Sequence, residues 1–177
     1  MEINTKKRRR QKGQAALETA LVIIPLFAVL LGILDFSVAI FAMDTMEYAA
    51  REGVRYAVLQ QAGGTGHQDD AIRTAVKNNS LGFLTSAQDP LIHIDYYSLD
   101  PASNTWISAG SGSGSNAGGN LVKVSVQGFS WLWMASGAWG CAAGVRDGCA
   151  AYAPSLSIKA ASADIMQGCP GGVCPTR

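Results

Sequence analysis

Residues 6–61 read KKRRRQKGQAALETALVIIPLFAVLLGILDFSVAIFAMDTMEYAAREGVRYAVLQQ, and this stretch decides the fold. Six cations, Lys6, Lys7, Arg8, Arg9, Arg10 and Lys12, come first, and residues 20–34 then carry no charge. Asp35 is the only charge between there and Asp44. A hydrocarbon core needs about 20 apolar helical residues, and residues 20–43 supply them, so the pattern predicts a single membrane span over about 15–43. Past Met43, Met46, Ala50, Val54, Ala57 and Val58 recur at helical spacing. Glu47, Arg51, Glu52 and Arg55 take the remaining positions. Glu47 and Arg51 form an acid-before-base pair four residues apart, the favoured orientation on a helix. No turn signal separates the two halves, so one helix is expected over 14–62, its amphipathic half 44–62 standing in water. The glycine cluster at 63–67 ends it.

Working outward to the N-terminus, residues 1–13 hold six bases and one acid, which leaves eight bases against twelve acids from Gln14 onward. The basic cluster places the N-terminus in the cytoplasm and the C-terminal region outside that membrane. The mildly acidic remainder argues against nucleic-acid binding, whose footprint is a basic patch. Gly13 closes the leader, and Glu18 would be the fifth residue of a chain cut after it. A carboxylate at the mouth of a span costs about 3 kcal/mol unless it is paired, and the new amine at Gln14 is the obvious partner, in the same or a neighbouring subunit.

At these residues the chain resembles type IV pilin precursors. More closely, it is similar to the TadE-like minor pilins (pseudopilins) of tight adherence (Tad, Flp) pilus systems. The matching pieces are GQAALETALVIIPLF at residues 13–27, ILDF at 33–36 and AAREGVRYA at 49–57. The resemblance implies cleavage between Gly13 and Gln14 by a prepilin peptidase, and an assembly role for Glu18. It also implies residence in the inner membrane as a single-pass protein, with incorporation into a pilus as a further state. The partners it implies are the major Flp pilin, other minor pilins and the Tad inner-membrane assembly platform. Major Flp pilins are much shorter than 177 residues, so the length points to a minor subunit.

Towards the C-terminus, about 115 residues follow the helix, enough for one small domain over 63–177. Asp69 and Asp70 open a short second helix with Ile72, Ala75 and Val76 on its apolar face. From Leu91 the period becomes two: Ile92, Ile94 and Tyr96 alternate with polar residues, a turn follows at Asp100-Pro101, and Trp106-Ile107 begins a returning strand. Residues 108–120, SAGSGSGSNAGGN, read as an exposed hairpin loop by composition. Val122, Val124 and Val126 mark the clearest strand, and residues 155–166 form the last. The fold class is therefore α+β: a pilin-like long N-terminal transmembrane and amphipathic helix packed on a small antiparallel β-sheet.

Between the last two strands lies a Trp- and Cys-rich insertion at about 130–154. Trp131, Trp133 and Trp139 either pack on the sheet or form a contact surface; their position favours a partner-facing segment. All four cysteines, Cys141, Cys149, Cys169 and Cys174, fall in the last 37 residues, on the outer side, where disulfides form. Three pairings are possible; the local ones, Cys141 with Cys149 and Cys169 with Cys174, are preferred. His67 and His93 lack partners at metal-ligand spacing, and no GxSxG elbow or P-loop lysine is present. No cofactor, metal or catalytic group is expected. The reading is a structural pilus subunit supporting assembly, adhesion or secretion. The competing reading is a signal-anchored extracytoplasmic domain whose cysteines do redox or metal chemistry.

Overall fold

The structure is a computed structural model that describes residues 3–59, 67–112, 114–132, 155–169 and 174–176. Helix α1 (Ile3–Val58) and helix α2 (Gln68–Asn78) are followed by a 3-10 turn at Ser86–Leu91. Four strands complete the chain: β1 (Ile92–Asp100), β2 (Thr105–Ser108), β3 (Leu121–Leu132) and β4 (Ser155–Ile165). They pair antiparallel in the order β2-β1-β3-β4. The class is α+β. α1 begins at Ile3, so the lysines and arginines before Gly13, all good helix formers, continue the helix. It closes at Val58, ahead of the glycine cluster.

Two compact units divide the chain, one holding the helix up to Ala39 and the other starting at Ile40 and containing α2 and the sheet. The second unit has a single core. Pairing sets Ile92 opposite Val126, Ile94 opposite Val124 and Tyr96 opposite Val122. Since side chains alternate along a strand, these six share one face. Val122, Val124, Val126 and Ile92 are buried together with Ile72 and Val76 of α2 and Ala42, Met46, Ala49, Val54 and Ala57 of α1. Each fully buried Val, Ile or Met contributes about 1.5–3 kcal/mol relative to exposure.

Small residues set how closely α1 lies in this core. Ala42, Ala49, Ala50 and Ala57 are all completely buried. At Gly53 an added Cβ would stand 2.5 Å from Cγ2 of Val76 and 3.4 Å from Cγ1 of Val124. The AAREGVRYA block is thus where α1, α2 and β3 meet.

β3 carries a bulge. Val126 faces Ala160 while Phe129 faces Ile158, three steps on one strand against two on the other. Gly128, at φ +81°, absorbs the extra residue. The bulge returns Phe129 and Trp131 to the core side, where Phe83 meets both ring edges, with centroids at 6.5 and 6.4 Å. Phe41 of α1 closes the cluster on Phe83 at 6.2 Å.

Candidate membrane and assembly segment

Over residues 17–34 of α1 the apolar side chains lie outside any core. Leu17, Leu21, Val22 and Ile24 are exposed, as are Leu26, Phe27, Ile33 and Leu34. Only 6 % of the most apolar 18-residue window within residues 14–58 is buried. In water such a surface is strongly unfavourable; the helix is long and apolar enough to cross a membrane. Its hydroxyls need no water: Thr19 Oγ1 donates to Ala15 O at 2.8 Å and Ser37 Oγ to Ile33 O at 2.7 Å. Asp35 is buried at 2 % exposure, and Ala39 at 1 %.

Gly13 and Gln14 both fall within α1. Glu18 is exposed, one turn beyond Gln14 on the same side of the helix. The polar side of the exposed half carries Glu47–Arg51 at 3.1 Å and Glu52–Arg55 at 3.8 Å. Such surface pairs contribute little to stability; they keep that face soluble.

Cys169 and Cys174 form a disulfide, with Cα atoms 5.0 Å apart. Cys141, Cys149, Trp133 and Trp139 lie outside the described residues. Trp131 is half-buried against Phe83, and its Nε1 has no hydrogen-bond partner among the described residues. Also among the described residues, no group of three or more His, Cys, Asp or Glu side chains is placed to hold a metal ion.

One feature escapes a reading of pattern alone. Gln68, completely buried at the start of α2, donates from Nε2 to Ala57 O at the end of α1, 3.1 Å away. Asn116, 1 % exposed, donates from Nδ2 to Gln68 Oε1 and to Pro175 O at 2.9 Å. Gln68 N–H in turn donates to Thr176 O at 2.8 Å. A helix-end carbonyl that would otherwise be orphaned is satisfied this way, and the segment after Cys174 is tied to α2 directly and to α1 through Gln68. The second half of the glycine- and serine-rich segment is therefore built into the fold. A Cβ on Gly118 would come within 2.6 Å of Gly168 Cα, and Gly119 N–H and Asn120 O bond Met166 at 2.9 and 2.8 Å. Composition alone reads this segment as exposed.

The model of the family described as TadE-like protein matches residues 13–55. The match opens on Gly13 and closes on Arg55, so it takes in the apolar half of α1 and most of the AAREGVRYA block. It is consistent with a TadE-like protein of the Tad pilus system. No curated protein and no solved structure matches the chain.

Proposed function

We propose that this chain, TadE-like over residues 13–55, is a minor pilin or pseudopilin of a Tad (Flp) pilus, a structural subunit rather than an enzyme. It is made as a precursor, held in the inner membrane by α1 with its N-terminus cytoplasmic, and cut between Gly13 and Gln14 by a prepilin peptidase. The observation that carries the reading is the placement of the family match. It starts at the Gly that closes a basic leader and ends where α1 packs on the sheet domain.

Cutting there leaves a cationic amine at the start of a helix, where the helix dipole disfavours positive charge. Glu18, exposed four residues on, offsets that charge within one subunit or accepts the amine of a neighbour as subunits pack. Its carboxylate is costly in lipid until so paired. The neighbours are the major pilin, other minor pilins and the assembly platform. The sheet domain lies outside the membrane, and the Trp- and Cys-rich insertion at about 130–154, most of it outside the described residues, is the candidate contact segment.

Glu18→Ala tests the assembly role. Removing a charge eases insertion, so the variant is expected to reach the membrane at the wild-type level while co-purification with other pilus subunits, and the number of pili, fall. Normal pili and normal co-purification in that variant would contradict it.

A further inference from the structure

We propose that the turn after α2 is an interfacial anchor. On this reading Leu81, with Phe41 and Tyr48 of α1, sits at the surface of the same bilayer that α1 crosses, docking the sheet domain on the membrane. The inference rests on the reading of α1 as a membrane span.

The position of the turn comes from α2. Gln68 at its start is bonded to Ala57 O, and Asn78 at its end lines a groove with Phe41, Asp44 and Tyr48. α2 therefore runs back along α1 and delivers Leu81 to the turns where the apolar run gives way to Asp44. The groove encloses about 310 Å³.

Leu81 is a costly residue for the domain by itself. It is held at φ +51°, a left-handed conformation that favours Gly or Asn, and its side chain is 71 % exposed. The turn holding it is firm: Phe83 N–H bonds Ser80 O at 3.0 Å and Leu84 N–H bonds Ser80 Oγ at 3.1 Å. A lone exposed Leu is ordinary. This one stands beside exposed Phe41 and Tyr48, at 52 % and 54 %, which Ile40 and Met43, also exposed, flank along α1. Aromatic and aliphatic tips edged by Asp44, Asn78 and Asn79 match the headgroup zone, where rings and amides both find partners.

The test places a diazirine-bearing aliphatic residue at position 26, 81 or 107 of the full chain. Each variant is reconstituted in vesicles of phosphatidylethanolamine and phosphatidylglycerol, irradiated, and its adducts are weighed. Position 26 lies in the span; Ile107, 49 % exposed, sits on β2, which pairs with the far end of β1. Lipid adducts at 26 and 81 with background at 107 are expected. Lipid adducts at 26 alone overturn the anchor and leave the span intact. Cross-links from 81 to a second protein chain also overturn it, making the groove a subunit contact. Absence of lipid adducts at 26 overturns the span, and the anchor with it.

Discussion

Gly53 and Val76 touch so closely that a methyl group on Gly53 would stand 2.5 Å from Val76 Cγ2. Two effects oppose each other in Gly53→Ala. Alanine gains about 1 kcal/mol over glycine in a helix interior, while overfilling a packed core costs about 1–3 kcal/mol. Val76 lies in α2, and a β-branched side chain in a helix has one strongly preferred rotamer, so it cannot swing aside. We expect a net loss of about 1–2 kcal/mol, read by denaturation in detergent. At Gly32 nothing lies within 4 Å of an added Cβ; Gly32→Ala should be neutral or stabilising, and equal effects at both sites would refute the contact.

Asn116→Ala should cost about 1–3 kcal/mol, because it leaves Gln68 Oε1 and Pro175 O without the donor they share. Asn116→Asp should cost more, since it puts a carboxylate against those same oxygens. Hydrogen exchange at the Gln68 amide, which donates to Thr176 O, should quicken in both variants, and unchanged exchange would count against the network.

Replacing Cys169 and Cys174 with serine should loosen the same tail from the other side. For so short a loop the expected loss is about 2 kcal/mol. Exchange at Gln68 should rise again, whereas a stability loss with exchange at Gln68 unchanged would separate the disulfide from the network.

How much of this architecture is legible in the sequence follows from where each pattern resides. The strand at 92–97, the return at Trp106, the Val122-Val124-Val126 strand and the strand from Ser155 all show in local alternation, and each is present. The features that pattern does not reveal depend on partners far along the chain. Gly53 is a weak helix former until Val76 and Val124 are known to face it. Asn116 looks like linker until Gln68 and Pro175 are brought to it. The bulge at Gly128 hides the shared face of Val126, Phe129 and Trp131, because it breaks the period of two. Ser86–Leu91, with Pro90 inside, carries no apolar period and forms a 3-10 turn. Its Asp89 is held 2.9 Å from Lys77 Nζ of α2. In the candidate assembly segment the apolar run and Glu18 are plain in the sequence, and so is the apolar face of the exposed half, whose Met46, Ala50, Val54 and Ala57 are all buried.

Asp100 gives a pH signature for the β1–β2 turn. Ser103 Oγ donates to its carboxylate at 2.6 Å and Ala102 N–H at 3.1 Å, and the serine hydroxyl is the larger cause holding its pKa below the ordinary aspartate value. A depressed folded pKa means that the stabilisation is full above the unfolded value and is lost as pH falls through the folded one. NMR titration should find Asp100 titrating lower than a free aspartate, and Ser103→Ala should move it back up. No change in that variant would show that the hydroxyl is not the cause.

The central claim is that the chain is a processed pilus subunit, and the mass of the chain extracted from membranes containing the prepilin peptidase tests it most directly. The account predicts a polypeptide beginning at Gln14, and a full-length precursor when Gly13 is replaced by a bulky residue. A wild-type chain that keeps residues 1–13 in those membranes would contradict it.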